Sequence, residues 1–130
     1  MTGAGISVDS GIRAYRGPSG RYLNPNYHPI FYQELVDPSP KGHVFRQRYW
    51  ARSYLGWPAV QLARPNTSHL AVGALLKAGT VKHVITQNVD GLHVAARPKS
   101  WGSIETERRI LELHGQLRVC VLCSLSPVYV

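Results

Sequence analysis

The chain has 130 residues, of which 44% are hydrophobic, so it suits one modest domain with an apolar core, and we do not expect disorder over most of its length. Fifteen lysines and arginines against seven acidic residues give a net charge of +8. This charge favours an anionic partner, but scattered basic residues more often form a solvated surface, so nucleic acid is not the predicted partner. No run approaches the ~20 apolar residues of a membrane span, and no membrane partner is predicted.

The chain begins in a glycine-rich loop, "TGAGIS", followed by a helix-compatible run. Gly3 and Gly5 let a phosphate approach main-chain N–H groups, and Ser7 could donate a hydrogen bond. Val8 takes the third glycine position of GxGxxG, so a plain Gly-rich turn is an equal alternative. Such loops normally follow a buried strand, and none precedes this one, so we expect the chain to be a fragment.

The stretch "RGPSGRYLNPNYHP" is rich in Gly, Pro, Tyr and Asn, and predicts long ordered loops with short helices. From Gly42 to Leu55 the apolar residues lie on one helical face, which predicts a helix, and "GWP" is expected to end it. The residues of that face are Val44, Phe45, Tyr49, Trp50 and Leu55.

The segment "RPNTSHLAVGALLKAGTVKHVITQN" predicts a helix followed by a short buried strand, "VKHVIT". Asn66, Thr67 or Ser68 can cap the helix, and Gly79 suits the position just beyond its end. The apolar face of the predicted helix is Leu70, Ala71, Ala74, Leu75 and Ala78. A helix, a strand and then polar residues are typical of an α/β sheet with a ligand site at the carboxyl ends of its strands.

The polar residues after this strand are "TQNVDGLH". Gln87, Asn88 and Asp90 place amide and carboxylate groups at the strand end, where they could bind ribose hydroxyls or a carboxamide. Asn, Asp and Gly are also favoured turn residues, so a simple turn at Asn88, Asp90 and Gly91 is the alternative. Both interpretations stay open on these residues alone.

The last third predicts a surface loop, "RPKSWGSIETE", then a strand in "RRILELHG" that ends at His114 and Gly115. His114 could act as a general base, although a lone histidine is more often structural or on the surface. A third β-like run, "LRVCVLC", carries Cys120 and Cys123. Their CxxC spacing suits two of the four ligands of a structural zinc site, with a redox pair as the alternative.

Taken together and in this order, "TGAGIS", "SGIRAYRG", "TQNVDGLH", "ELHG" and the CxxC pair resemble the sirtuins, a family of NAD-dependent protein deacylases. The stretch "RQRYWARSYLGWP" is similar to the class II, mitochondrial branch. The resemblance implies an α/β fold, with an incomplete Rossmann-like parallel sheet, helices and long loops in residues 1–117. Residues 118–130 would begin a truncated zinc-ribbon domain. Mitochondrial localisation rests on the branch alone, since no targeting peptide is visible.

The resemblance also implies roles for particular residues, in a reaction that moves an acyl group from lysine to ADP-ribose and releases nicotinamide. Acyl-lysine proteins would be the substrates, with ADP-ribosyl transfer as a further activity. The phosphates of NAD would contact Gly3, Ala4, Gly5 and Ser7. The mobile cofactor loop would contain Tyr15 and Arg16. The nicotinamide and its ribose would lie among Gln87, Asn88 and Asp90, with Asn88 and Asp90 also counted as catalytic. His114 would be the catalytic base, and Cys120 and Cys123 would bind zinc.

Two departures from the family pattern qualify these expectations. Arg13 and Ala14 stand where the family usually has Pro and Asp, in "GIPDFR", which alters the cofactor loop. The first strand and the second cysteine pair of the family pattern are absent, so we expect this chain alone to have little or no deacylase activity. The alternatives are a non-catalytic NAD-binding or partner-binding fragment, and a small basic module that binds zinc or nucleic acid.

Overall fold

The structure is a computed structural model that describes residues 1–117, 119–120 and 128–129. It divides into two compact units, one formed by Met1–Ile12 and Ala63–Val130 and the other by Arg13–Leu62. No helix in the described part of the chain has the length and apolar character required to cross a membrane.

The first unit is built on a parallel sheet. Strand β1 (Val84–Thr86) pairs in parallel with β2 (Ile110–Glu112), with Val84 opposite Ile110. Thr2 forms a parallel bridge to Thr86, in which Thr2 N–H donates to the Ile85 carbonyl at 2.9 Å and Gln87 N–H donates to the Thr2 carbonyl at 3.1 Å. β1 therefore has a parallel neighbour on each side, β2 on one side and the segment around Thr2 on the other. This arrangement confirms the predicted α/β fold. A separate antiparallel pair joins β3 (Val119–Cys120) to β4 (Val128–Tyr129).

Helix α3 (Thr67–Lys77) has the predicted ends. The Asn66 side chain accepts hydrogen bonds from the N–H groups of Ser68 and His69, and Gly79 has a left-handed backbone with φ of +76°. Asn66 thus bonds two of the free N–H groups at the helix start, and Gly79 allows the chain to turn away after the helix end. The start and the end of this helix are therefore encoded locally.

The predicted face of α3 is wrong. The buried residues are His69, Gly73 and Leu76, whereas the predicted apolar face is exposed: Leu70, Ala71, Ala74, Leu75 and Ala78. The reason is close backbone packing against α4 (Leu92–Ala95), because a Cβ on Gly73 would lie 2.3 Å from the Ala96 carbonyl oxygen. Only glycine allows this approach, and apolar periodicity does not reveal it.

The core of this unit is small. Leu76, Val84 and Ile110 are buried together, and four partly buried side chains pack against them: Val72, Val81, Val94 and Trp101. These residues come from α3, β1, β2, α4 and the loops between the elements. The core therefore covers one face of the sheet, since Ile85 and Leu111 on the other face are exposed.

The predicted surface loop "RPKSWGSIETE" is wrong in its second half, because Ser103–Arg109 forms helix α5. Glu105 and Arg109 form an ion pair one turn apart at 2.8 Å, with the acidic residue toward the helix start and the basic residue toward its end. The Thr106 hydroxyl donates to the Gly102 carbonyl at 2.7 Å. The strand predicted in "RRILELHG" is consequently limited to β2, and its two arginines belong to the helix.

The second unit contains a short 3-10 helix (Arg21–Leu23), α1 (Tyr32–Val36) and the long helix α2 (Pro40–Leu62). The predicted helix is confirmed, but "GWP" does not end it, because Pro58 lies inside α2. Proline removes one main-chain donor, which leaves the carbonyl of Tyr54 without its helical partner. Tyr54 is exposed, so water can bond to this carbonyl and the helix continues.

Candidate functional site

A buried polar network joins the glycine-rich loop to the carboxyl end of β1. Its centre is Ser7, which is fully buried in the 3-10 helix Ala4–Ser10. The Ser7 Oγ lies 2.7 Å from Asp90 Oδ2, 3.1 Å from Asn88 Nδ2 and 3.4 Å from His69 Nε2. Residues far apart in sequence thus meet at one hydroxyl, at the sheet edge where α/β proteins place their ligands.

The hydrogens of this network can be assigned from the partners. A serine hydroxyl has one hydrogen, which Ser7 donates to the Asp90 carboxylate. The Asn88 amide donates to the Ser7 oxygen, and the 3.4 Å contact with His69 Nε2 is a hydrogen bond only in the tautomer that carries its hydrogen on Nε2. Asn88 Nδ2 also donates to the Gly3 carbonyl at 3.1 Å, so this one amide holds both Gly3 and Ser7. The two ends of the glycine-rich loop are therefore fixed to the end of β1.

His69 connects the same network to the start of α3. Burial lowers the pKa of His69, with Asp90 opposing this shift, so the ring is neutral at pH 7. His69 Nδ1 lies 3.1 Å from Asn66 Oδ1 and 3.4 Å from the Asn66 main-chain nitrogen. The ring therefore bonds to Asn66 in either tautomer, donating to Oδ1 when Nδ1 carries the hydrogen and accepting from the N–H when it does not. The Asn66 amide donates to the Ile6 carbonyl at 2.7 Å. The residue that caps α3 therefore also holds the glycine-rich loop.

A second buried histidine lies beside the first. The rings of His69 and His93 have centroids 4.9 Å apart, and His93 Nε2 lies 2.9 Å from the Thr2 hydroxyl oxygen. Burial lowers the pKa of His93, and the nearby His69 lowers it further, while Asp90 acts in the opposite direction. Two neutral imidazoles thus pack under the loop next to a single carboxylate.

Asp90 has a structural role as well as a place in the network. Its Oδ1 accepts from the Leu92 N–H at 3.0 Å, next to Gly91, whose φ is +73°. The segment is therefore both the turn that leads into α4 and a member of the polar network. The two interpretations left open by the sequence do not exclude each other.

The Ser7, His69 and Asp90 side chains do not form a nucleophilic triad. In such a triad the serine hydroxyl donates to the histidine and faces the substrate. Here the Ser7 hydroxyl donates to Asp90 and is completely buried. The geometry excludes Ser7 as a nucleophile and assigns it to holding the loop.

The glycines of the loop leave open space above it. A Cβ added to Gly3 or Gly5 would meet nothing within 4 Å, and neither residue has a positive φ. The folded chain itself therefore does not require glycine at these positions, in contrast to Gly73. A phosphate, for example, could approach the main chain here without steric hindrance.

Three further predicted residues of the first unit lie in the glycine-rich loop or after the ends of β1 and β2. Gln87 is exposed directly after β1, and Ala4 is half-buried in the loop. His114 is exposed in a turn after β2, which a hydrogen bond from Gly115 N–H to the Glu112 carbonyl closes at 3.0 Å. Because β1 and β2 are parallel neighbours, Gln87 and His114 follow the same edge of the sheet.

The other predicted residues lie elsewhere. Tyr15 and Arg16 are exposed residues of the second unit, with the Arg16 guanidinium 5.9 Å from the Tyr22 ring centroid. Cys120 lies in β3, and Cys123 lies outside the described residues. Within the described residues no three His, Cys, Asp or Glu side chains are grouped so as to hold a metal ion. The zinc site stays a prediction.

Several members of the network were not predicted as site residues: Thr2, Asn66, His69 and His93. The sequence predicts only a helix-capping role for Asn66. The signal that could have marked His69 is its position three residues after that cap, where its side chain can reach back to the cap's N–H. No local pattern distinguishes Thr2 or His93, because their partnership spans 91 positions.

Comparisons with known proteins agree with this arrangement. The pattern of the Sir2 family matches residues 3–127. The NAD-dependent protein deacylase SIR4 of Batrachochytrium dendrobatidis is 49% identical over 127 residues, covering 95% of this chain and 38% of the relative. The NAD-dependent protein deacetylase 1 of Streptomyces coelicolor is 44% identical over 130 residues, covering 98% and 38%. The chain thus spans about two-fifths of the length of these relatives.

A solved structure shares the fold. A mutant Sir2 homologue in complex with ADP-ribose superposes with a TM-score of 0.70 at 34% identity, covering 99% of this chain and 46% of that one. The family match extends over nearly the whole chain, and it includes the glycine-rich loop and the residues that bind it to β1. The chain therefore belongs to the Sir2 family.

Proposed function

We propose that this chain supplies the NAD-binding part of a sirtuin-type NAD-dependent protein deacylase. The observation that carries the proposal is the Ser7-centred network, which holds an open glycine-rich loop at the carboxyl end of β1. The two relatives, which are named as an NAD-dependent deacylase and an NAD-dependent deacetylase, and the ADP-ribose in the related structure support it. Residues 1–117 would form the NAD-binding region, and residues 118–130 would begin a zinc-binding module.

The residues present suit NAD in a specific division of roles. Gly3, Ala4 and Gly5 would present main-chain N–H groups to the phosphates, because no side chain blocks the loop at either glycine. Ser7 would act by holding this loop, since its hydroxyl is already bonded inside the protein. Tyr15 and Arg16, in the second unit, would belong to the cofactor loop.

The groups after β1 would bind the nicotinamide end. Gln87 is exposed, so its amide can pair with the nicotinamide carboxamide. Asn88 and Asp90 are held rigidly by Ser7, Gly3 and Leu92, which would keep their remaining lone pairs at the ribose. NAD, when bound, supplies the ADP-ribose that accepts the acyl group and the nicotinamide that leaves.

His114 would act as the general base in the proposed reaction. The imidazole is exposed after β2, at the same sheet edge as Gln87, so it can take a proton from a ribose hydroxyl and pass it to solvent. The substrates would be acyl-lysine proteins. Cys120 and Cys123 would supply two zinc ligands. The branch resemblance supports a mitochondrial localisation, which we propose here.

NAD binding tests the proposal directly. Isothermal titration calorimetry would compare the wild-type chain with Gly5→Ala and with Gly56→Ala, a control in α2 where an added Cβ also meets nothing within 4 Å. We expect Gly5→Ala to weaken NAD binding about tenfold, equivalent to about 1.4 kcal/mol, while the control binds as wild type. Absence of NAD binding by the wild-type chain, or equal binding by Gly5→Ala, would refute the proposal.

Catalysis is tested separately with an acyl-lysine peptide, using mass spectrometry to follow deacylation and nicotinamide release. Deacylation that requires NAD and is lost in His114→Ala, with NAD binding retained, supports His114 as the base. Deacylation that persists in His114→Ala contradicts that role. A chain that binds NAD without deacylating the peptide supports the alternative of a non-catalytic NAD-binding function.

A further inference from the structure

The second unit carries positive charge that its own carboxylates do not balance. Seven lysines and arginines stand against two acidic residues between Arg13 and Leu62. Both carboxylates are already bonded at helix starts, Glu34 to the Phe31 N–H at 2.8 Å and Asp37 to the N–H and hydroxyl of Ser39 at 2.8 Å each. Across residues 13–62, all of which are described, no arginine forms an ion pair with a carboxylate.

Two of these arginines converge on one oxygen. Arg48 and Arg52 lie one turn apart on α2, and their guanidinium groups donate to the same His28 carbonyl at 3.2 and 3.3 Å. Each uses one of its five N–H donors in this bond, which leaves further donors for a partner. Two like charges held together by a neutral carbonyl make a site that a negative group would stabilise.

Aromatic rings hold these guanidinium groups in place. The Arg52 guanidinium lies 4.6 Å from the centroid of the Tyr27 ring, and that of Arg48 lies 5.6 Å from the Phe45 ring. Stacking of this kind orients the planar fork and reduces the entropy lost when it binds a partner. The site is therefore preorganised as well as charged. We call Arg48, Arg52, the His28 carbonyl and the two rings the basic surface.

We propose that the basic surface docks an acidic segment of a partner protein, whose Asp or Glu carboxylates bind Arg48 and Arg52. Carboxylates fit edge-on to the planar guanidinium fork. Single-stranded nucleic acid would instead stack its bases on aromatic faces, and Arg48 and Arg52 already cover a face of each ring. The basic surface contains no residue assigned to NAD or to proton transfer, so this proposal goes beyond the proposed function.

Fluorescence anisotropy with a labelled peptide of alternating Glu and Gly tests the proposal, without NAD and at low salt. The same peptide with Gln in place of Glu measures the charge requirement. The variant R48Q/R52Q should bind the Glu peptide about tenfold more weakly than wild type. The matched control R97Q/K99Q removes two positive charges from exposed residues of the other unit, and should bind within about threefold of wild type.

Three results would overturn the proposal. Equal weakening in the control would show attraction by net charge alone, equal binding of the Gln peptide would show that carboxylates are not recognised, and tighter binding of an oligothymidylate would identify nucleic acid as the partner. If R48Q/R52Q loses helical circular dichroism, R48K/R52K replaces it. Lysine keeps the charge but not the fork, so a clear loss of peptide binding supports docking and unchanged binding contradicts it.

Discussion

Replacing Ser7 with Ala should destabilise the first unit by about 2–4 kcal/mol, because the Ser7 hydroxyl is the common partner of the network. The bond to the Asp90 carboxylate accounts for about 1.5–3 kcal/mol. One Asn88 amide hydrogen would also lose its acceptor, at a cost of about 1 kcal/mol. The His69 contact is long, at 3.4 Å, and contributes least. With a urea dependence of about 2 kcal/mol per M, the unfolding midpoint should fall by about 1–2 M.

Urea unfolding measured by fluorescence tests this, with Trp50 and Trp57 replaced by Phe so that Trp101 reports on the core of the first unit. Ser10→Ala is the matched control in the same 3-10 helix. Its Oγ is buried and has no hydrogen-bond partner among the described residues, so its removal should leave stability unchanged or raise it by up to about 1 kcal/mol. If Ser7→Ala unfolds within about 0.5 kcal/mol of Ser10→Ala, the network does not stabilise the loop.

Two further predictions follow from the same unit and from the glycines. Burial lowers the pKa of His69 and His93, so the unfolded chain takes up protons that the folded one does not; the free energy of unfolding should fall as pH drops below about 6.5, by up to about 1.4 kcal/mol per pH unit for each histidine. Urea titrations from pH 8 to pH 5 should show a smaller slope for His69→Gln and the wild-type slope for the exposed His43→Gln, and equal slopes would contradict the assignment. Gly73→Ala should lower the free energy of unfolding by about 1–3 kcal/mol, because its Cβ would clash with the Ala96 carbonyl. Gly56→Ala, in the open helix, should raise it by about 0.5–1 kcal/mol. Thermal melts measure both variants, and a Gly73→Ala chain as stable as wild type would disprove the close approach.

Much of the fold could be predicted because the signals are local. Asn66 and Gly79 mark the ends of α3 through their own hydrogen bonds and backbone conformation, and the apolar run before Gln87 marks β1. Signals of this kind can be recognised from a few neighbouring residues. It does not show which side of a helix faces the core, and it did not predict α5 or the continuation of α2 past Pro58.

The order of α2, α3, β1 and β2, the polar residues that follow β1 and the family resemblance can all be read from the sequence, because each depends on neighbouring residues. How those residues act depends on the tertiary structure. It chose the face of α3 through the close approach at Gly73, and it brought Ser7 to Asp90 across 83 positions of sequence. It also turned Asn66 from a helix cap into an anchor for the loop. Contacts of this range depend on the packing of whole elements around a shared core, which no local pattern contains.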